Sequence, residues 1–480
     1  MNCFEKFRKE CEKFCGASVV TPPKEISADL ALPCFPLGKN PAETAKKLSE
    51  KKIPKGSLIK EVRQAGPYLN FYIDESRFSK LVLKEVMAKK ERYGKGGKKK
   101  AKVMVEFSQA NTHKAFHVGH IRGTTLGESL ARILEYWGND VIRANYQGDT
   151  GMHVSKWIWC YQKYHSEEKP KKDESWIASI YVDAVKKLAE NPELQKEVDE
   201  INIKLDSRKD KKLLDLWKKT RKLSLDAFEK IYDQLGTHFD EYYFESQVEK
   251  EGKRIALGLV KTGVAEKSEG AIIINLENYG LGVWVLLRKD GTVLYSAKDI
   301  ALAQKKFKDC PTLDKSLYIV ANEQDLHLKQ LIKTLELMKS PYTAKLEHIS
   351  YGLVKLPHGK ISSRTGDNIL YSGFMEEMQE YARKEILSRC SNLKTSELEK
   401  RAIAISISAI KYSMLKQSPQ KDIIFDKEEA LCFEGDTGPY LQYSYAWAKS
   451  ILKKSKLKPK IHCLGKEEFG IVKKLSMFPE

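Results

Sequence analysis

The sequence predicts an α/β catalytic domain built on a parallel sheet, with a small α+β domain before it and an incomplete α-helical region after it. Three observations predict this: a strand-loop-helix-strand pattern over residues 103–151, a glycine- and lysine-rich linker at 94–100, and helical apolar spacing after residue 402. The chain of 480 residues is long enough for roughly three domains of about 150 residues each.

The pattern over residues 103–151 is a βαβ unit. Apolar residues at 103–107 predict a strand, a polar connection follows, and apolar positions at helical spacing over 121–137 predict a helix. A glycine-containing stop at 138–140 precedes a second strand that begins at Val141. We expect parallel strands with a right-handed crossover, and ligands that bind beyond the carboxyl ends of the strands.

The loop between the first strand and its helix carries His117-Val118-Gly119-His120. Two imidazoles can donate to a phosphate, Gly119 leaves room for a nucleotide, and the helix N-terminus adds its positive end. A motif this short also fits a metal site or ordinary surface residues. Zinc is not expected, because the nine cysteines form no CxxC pair and only His113 lies nearby as a third ligand. The loop predicts a site for an anionic nucleotide.

Composition narrows the class of partner and the compartment. Lysine and arginine outnumber aspartate and glutamate by 84 to 65, a formal charge of +19, which favours a polyanionic partner, although a lysine-rich solvated surface gives the same count. No apolar run is long enough to cross a bilayer and no leader is evident, so we expect a cytoplasmic protein without membrane association. Nine scattered cysteines fit reduced thiols.

These motifs resemble the arginyl-tRNA synthetases, a family of class I aminoacyl-tRNA synthetases. The histidine motif is similar to the class I HIGH signature, and residues 106–111 before it and 121–124 after it resemble the arginyl family in particular. The resemblance implies a Rossmann-type domain at 98–370 with a helical insertion at about 165–240. The other implied regions are a tRNA-contacting domain at 1–97, a helical connector at 371–430 and the start of an anticodon-binding domain at 431–480.

An arginine pocket is predicted around Tyr295 and Asp299. They stand one turn apart if a helix begins at about Ser296, and a carboxylate beside a phenol suits a guanidinium, although this spacing is also common on solvated helix faces. The resemblance assigns both to the arginine pocket and adds Gln324 after a buried strand. The full set implied to bind arginine is Glu106, Ser108, Gln109, Asn111, His120, Tyr295, Asp299 and Gln324.

A second signature follows the last strand. The segment KISSRTG at 360–366 resembles a degenerate KMSKS loop, in which Ser363 replaces the second lysine. Such a loop can close over ATP and stabilise the charge that develops on pyrophosphate, and Lys114 is expected to supply the missing cation. The resemblance implies catalysis by Lys114, His117, His120 and Lys360, ATP binding by His117, Gly119, His120, Lys360, Ser362 and Ser363, and tRNA binding by Tyr440, Gln442 and Lys449.

The predicted function is ATP-dependent arginylation of tRNA(Arg) by a monomer. Magnesium is expected to arrive with ATP, without a dedicated protein metal site. Three alternatives remain: another class I synthetase, a nucleotidyltransferase acting on a small molecule, and a catalytically idle tRNA-binding paralogue. Competition between amino acids would distinguish another class I synthetase from an arginyl enzyme. Added tRNA would have no effect on the activity of a nucleotidyltransferase that acts on a small molecule.

Overall fold

The computed structural model describes residues 2–97, 101–357, 359–360, 370–390, 392–455 and 464–479. The strands are β1 (Leu30–Pro33), β2 (Ile59–Ala65), β3 (Tyr68–Ile73), β4 (Lys102–Glu106), β5 (Asp140–Gln147), β6 (Glu241–Phe244), β7 (Glu266–Ser268), β8 (Ala271–Asn275), β9 (Val283–Leu287), β10 (Lys315–Ala321), β11 (Leu346–Tyr351), β12 (Val354–Leu356), β13 (Gly359–Lys360) and β14 (Ile423–Ile424). The helices are α1 (Cys3–Cys15), α2 (Pro41–Ser49), α3 (Glu75–Lys89), α4 (Val118–Tyr136), α5 (Met152–Tyr164), α6 (Glu174–Glu190), α7 (Gln195–Ser207), α8 (Lys211–Leu235), α9 (Glu245–Lys261), α10 (Tyr295–Asp309), α11 (Asp325–Leu337), α12 (Tyr371–Arg389), α13 (Thr395–Leu415), α14 (Lys427–Leu431), α15 (Gly438–Lys454) and α16 (Lys466–Met477).

The chain divides into two compact units, Met1–Lys98 with Ser455–Glu480, and Lys99–Lys454. The first unit has an antiparallel sheet in the order β1-β3-β2, with α1, α2 and α3 around it. Helix α16 joins this unit: Val472 lies in the same core as residues of α1 and α3, and Lys473 pairs with Asp29 at 2.5 Å. The structure thus differs from the predicted domain at 431–480, because α15 and α16 belong to different units.

The second unit is organised around a parallel sheet with the order β11-β10-β4-β5-β6. The predicted βαβ unit is confirmed as β4-α4-β5. Strand β4 is buried on both faces, as expected for the centre of a sheet covered by helices. The chain leaves β4 towards β5 on one side and later returns to β10 on the other, so the strand order reverses at β4. Ligands bind at such a reversal.

Further elements are added to this sheet. Helices α5 to α8 lie between β5 and β6, in the region predicted to be a helical insertion, and the antiparallel sheet β7-β8-β9 lies between α9 and α10. None of the helices in the described part of the chain is long and apolar enough to span a membrane.

Arg122 on α4 joins that helix to the segments that lead into β12 and β14. Its Nη1 donates to the carbonyl oxygens of Gly352 and Leu353 at 2.7 and 3.2 Å, and its Nη2 donates to those of Pro419 and Lys421 at 2.8 and 2.7 Å. The side chain is only 1% exposed. One guanidinium therefore satisfies four carbonyl groups from two distant segments.

Replacing Arg122 by methionine is expected to destabilise this unit by about 2–4 kcal/mol, because the apolar side chain removes four hydrogen bonds, including the one to the buried Gly352 carbonyl. Urea unfolding followed by circular dichroism measures the change. Arg401→Met is the matched control, since Arg401 is an exposed helical arginine paired only with Glu397. Equal stability of the two variants would contradict the role assigned to Arg122.

Candidate active site

The candidate site lies where the parallel strands end at their carboxyl edge. The loop after β4 carries the histidine motif, the turn after β5 carries Gly148 to Thr150, and a short turn after β10 carries Gln324. Helix α10, which holds Tyr295 and Asp299, leads directly into β10. The topology therefore places the histidine motif, the pair Tyr295 and Asp299, and Gln324 along one edge of the sheet.

The histidine motif opens α4. His117 is extended (φ −114°, ψ 170°) and immediately precedes the helix, and its backbone N–H donates to Nδ1 of His120 at 3.1 Å. Because Nδ1 of His120 accepts, the neutral ring carries its proton on Nε2. The two rings are 3.8 Å apart between centroids, and a Cβ at position 119 would lie 3.0 Å from the His117 ring. A side chain at position 119 would therefore require the His117 ring to shift by a few tenths of an ångström.

Both imidazoles are neutral in the unliganded site. Burial, and to a smaller extent the positive charge of Lys114, lower the pKa of His117 to about 4. Burial also lowers the pKa of His120 well below 6.5, with added repulsion from His117 and Lys114. The buried Nδ1 of His117 has no hydrogen-bond partner within the described residues. An anionic phosphate would favour the protonated rings, because an opposite charge raises the pKa of a histidine.

Lys114 is a cation without a carboxylate partner among the residues that the structure describes. Its Nζ lies 5.4 Å from the ring centroid of Tyr181. Burial lowers the pKa of Lys114, and repulsion by Lys156 adds to that effect. An ammonium that is partly desolvated and unpaired beside two imidazoles gains most from an anionic ligand.

The hydroxyl of Tyr146 on β5 is buried and has no hydrogen-bond partner in the described chain. Burial raises the pKa of this phenol well above 10, and the negative charges of four carboxylates near it, Asp299, Glu245, Glu106 and Asp149, raise it further. These carboxylates come from α10, from the start of α9 and from the ends of β4 and β5. Which of them is free to bind a cation depends on their own partners.

Three of the four carboxylates are neutralised by a cation. The ion pairs are Glu106 with Lys306 at 2.5 Å, Glu245 with Lys298 at 2.8 Å, and Asp149 with Arg221 at 2.7 Å. Asp299 instead contacts Nε2 of His327 through Oδ2 at 2.6 Å, and its Oδ1 is buried without a hydrogen-bond partner. Within the described residues Asp299 forms no ion pair with lysine or arginine, so its charge is available to a cationic ligand.

Tyr295 and Asp299 occupy the first turns of α10, which begins one residue before the predicted start. The side chain of Tyr295 is 56% exposed, and its ring centroid is 4.7 Å from that of His327. Sequence reasoning missed His327. The available signal was its position shortly after Gln324, at the start of the helix that follows β10.

The carboxylate of Glu106 is paired and is not free to bind a cationic ligand. Lys306, which is fully buried, neutralises it, and Lys306 also lies 3.8 Å from the ring centroid of Tyr318. Burial lowers the pKa of Lys306, but the negative charges near it, chiefly Glu106, raise that pKa above its usual value. The other oxygen of Glu106 accepts from Gln109 at 3.4 Å. Sequence reasoning also missed Lys306, which stands two helical turns after Asp299.

Residues 108–111 form a tightly fixed loop. Ser108 and Gln109 have positive φ angles of 76° and 52°, and Ser108 Oγ lies 3.0 Å from the Tyr232 hydroxyl. A Cβ at Gly148 would be 2.2 Å from Oδ1 of Asn111, so only glycine leaves room for this amide. The Ser108 hydroxyl therefore hydrogen-bonds to buried side chains, those of Tyr232 and Thr124.

The remaining predicted residues are placed as follows. Gln324 is exposed in the turn after β10, and the backbone of Lys360 lies in β13, whereas Ser362 and Ser363 lie outside the described residues. On α15, Tyr440 and Lys449 are exposed, and Nε2 of Gln442 donates to the carbonyl of Ala404 at 3.2 Å. The structure thus does not test the contacts of the second signature loop.

One group in the described chain has metal-ligand composition: Cys160 and His165 at the end of α5, and Asp183 in the middle of α6. Its donors are already engaged, because His165 contacts Asp183 at 3.0 Å and Glu168 at 2.6 Å, and the thiol of Cys160 donates to Asp183 at 3.4 Å. His113, considered above as a third metal ligand, has both ring nitrogens within 3.0 Å of threonine hydroxyls. That no dedicated metal site exists stays a prediction.

Stability is expected to fall on mild acidification, because four histidines near the site have lowered pKa values. Burial is the main cause in His113, His117, His120 and His153, with the pKa of His117 at about 4 and that of His153 at about 3. Below about pH 6.5 the unfolded chain binds more protons than the folded chain. For each of these histidines, the free energy of unfolding therefore decreases by about 1.4 kcal/mol for each pH unit of acidification.

Urea unfolding at about pH 7 and about pH 5 measures this dependence. His153→Gln removes one titrating group and is expected to make the slope shallower by about one proton. An unfolding free energy that does not change across this interval would contradict the prediction.

Comparison with known proteins agrees with this geometry. Residues 82–427 match the family described as tRNA synthetases class I (R), catalytic domain. The chain is 36% identical over 467 residues to an arginine–tRNA ligase of Clostridium acetobutylicum, covering 95% of this chain and 82% of that protein. A relative from Treponema denticola with the same name is 34% identical over 490 residues, covering 96% and 82%.

Solved structures show the same fold. The arginyl-tRNA synthetase of Thermus thermophilus matches with a TM-score of 0.77 and 25% identity, over 98% of this chain and 85% of that chain. The arginyl-tRNA synthetase of Plasmodium falciparum also matches with a TM-score of 0.77 and 20% identity, over 100% of this chain and 87% of that chain. At this identity the match supports the fold alone. The resemblance and the parallel-sheet fold predicted from the sequence are both confirmed, and the chain belongs to the arginyl-tRNA synthetase family of class I tRNA synthetases.

Proposed function

We propose that this protein activates L-arginine with ATP and transfers the arginyl group to the terminal ribose of tRNA(Arg). The observation that carries the proposal is Asp299: it is the one carboxylate of the four around Tyr146 that lacks a lysine or arginine partner in the described chain, and its Oδ1 is buried and unsatisfied. A guanidinium matches a carboxylate in charge and geometry.

The chemistry requires little from the protein beyond positioning and charge stabilisation. The carboxylate of arginine attacks the α-phosphate of ATP, pyrophosphate leaves, and a ribose hydroxyl of the tRNA then takes the acyl group from the adenylate. The Nε2–H of His120 and the ammonium of Lys114 are donors for phosphate oxygens, and Lys360 with its loop is assigned to the leaving pyrophosphate. Magnesium enters with ATP, and no residue is assigned to it.

The tRNA is assigned to both units. In the second unit, α15 exposes Tyr440 and Lys449, which suit stacking on bases and contacts with phosphates. The overall charge of +19 favours a polyanion. The first unit, formed by residues 1–98 and 455–480, is proposed as a further tRNA-contacting region.

The proposal includes a monomer in the cytoplasm. The described cysteines form no disulfide, which fits a reducing compartment. Size-exclusion chromatography with light scattering tests the oligomeric state.

The deciding experiment is exchange of pyrophosphate into ATP, measured with arginine, lysine or glutamine and with or without tRNA(Arg). Exchange with arginine alone among the three amino acids is expected. Exchange with another amino acid would indicate a different class I specificity. No exchange in any mixture, combined with binding of tRNA(Arg) on a filter, would indicate an idle paralogue.

A further inference from the structure

Asp299 is the last member of a hydrogen-bonded series that starts in the sheet β7-β8-β9. The indole N–H of Trp284 on β9 donates to Nδ1 of His327 at 3.3 Å. The Nε2 atom of His327, on α11, lies 2.6 Å from Oδ2 of Asp299. Both Trp284 and His327 are buried. Two other elements, β9 and α11, are therefore connected to the carboxylate on α10.

The direction of these hydrogen bonds fixes the orientation of the imidazole. An indole nitrogen can only donate, so Nδ1 of His327 accepts from Trp284 and Nε2 donates to Asp299.

The partner of Asp299 has a consequence for ligand binding. Lysine or arginine side chains pair with Glu106, Glu245 and Asp149, whereas an imidazole orients Asp299. Oδ2 is held by His327, while Oδ1 is buried and has no partner within the described residues. The carboxylate is thus fixed in orientation before a ligand arrives, which reduces the entropy lost on binding.

We infer that His327, held by Trp284, is a positioning residue for arginine that fixes the orientation of the Asp299 carboxylate. The inference rests on the proposed function, because arginine is the ligand in question. His327 acts through Asp299 and is not assigned a contact with ATP or with the reacting atoms.

The test uses steady-state pyrophosphate exchange by the full chain, with tRNA(Arg) present. His327→Leu removes both ring nitrogens, whereas His327→Gln keeps an N–H donor near the position of Nε2. We expect the KM for arginine to rise by about 10- to 100-fold in His327→Leu and by less than about fivefold in His327→Gln, with the KM for ATP unchanged in both. His348→Leu, a histidine on β11, is the matched control and should leave the KM for arginine unchanged.

A double-mutant cycle with Asp299→Asn separates positioning from general damage to the fold. If His327 acts through Asp299, His327→Leu should add little to the defect of Asp299→Asn, whereas independent effects would add. Additive effects, an unchanged KM for arginine in His327→Leu, or equal KM values in His327→Leu and His327→Gln would each overturn the inference.

Trp284→Phe gives a second route if His327→Leu fails to fold, because it removes only the donor to Nδ1. It is expected to raise the KM for arginine by about threefold to tenfold, again without change in the KM for ATP. An unchanged KM for arginine would overturn the role of Trp284. Absence of arginine-dependent exchange in the unmodified protein would instead overturn the proposed function, so the two failures are distinguishable.

Discussion

Asp299→Asn is expected to lower kcat/KM for arginine by about 30- to 4,000-fold, which corresponds to about 2–5 kcal/mol for a desolvated charged pair that loses one charge. The substitution keeps the shape of the side chain and its acceptor for His327 but removes the negative charge. The loss should appear in the KM for arginine, while the KM for ATP stays the same. Pyrophosphate exchange at varied arginine concentration measures both constants.

The control for Asp299→Asn lies on the same helix. Asp309 is half-exposed at the end of α10 and pairs with Lys305 at 2.9 Å, so Asp309→Asn changes the charge of α10 equally without touching the site. We expect this variant to retain the KM for arginine. If Asp299→Asn also retained it, Asp299 would not be part of the arginine pocket.

The sequence predicted the parts of this site that local patterns encode. The alternation of strand, loop and helix around His117 placed the motif at the carboxyl edge of the sheet, since hydrophobic periodicity determines both elements. The spacing of Tyr295 and Asp299 likewise predicted a shared helical turn. In both cases the information lies within a few residues of the chain.

The partners of these residues could not be predicted in the same way. Lys306 reaches Glu106 across about 200 residues of sequence, and Trp284 on β9 reaches His327 on α11, so only tertiary packing brings each pair together. A buried lysine is rare without a partner, which marks Lys306 as unusual once its burial is known. Its position two turns after Asp299 indicates the same helix face but not what that face meets.

Helix α16 illustrates the same limit on a larger scale. Its apolar residues recur at helical spacing, which predicts a helix with one buried face. The periodicity does not specify which core receives that face, and in the structure Val472 and Phe469 pack with the N-terminal unit. Because α16 follows α15 in sequence, both were expected in one domain, but α16 packs in the core of the N-terminal unit.

His120 is expected to be the second position with a large effect, and two substitutions separate its roles. Its Nδ1 accepts from the backbone of His117 at the start of α4, whereas Nε2–H is the assigned donor to phosphate. Asparagine can place an oxygen near Nδ1 and preserve the start of the helix, but it offers no donor at Nε2. His120→Asn should therefore slow adenylation by about 100- to 1,000-fold, the usual cost of losing one transition-state donor.

His120→Gln provides the complement, because its amide nitrogen lies near the position of Nε2. It should recover part of the rate that His120→Asn loses, while both variants bind tRNA(Arg) with unchanged affinity. Single-turnover formation of the adenylate and filter binding of tRNA measure the two quantities separately. The assigned role requires that the loss of the Nε2–H donor, and not a change at the start of α4, cause the slower adenylation. Equal adenylation rates in the two variants, or a defect confined to tRNA binding, would contradict it.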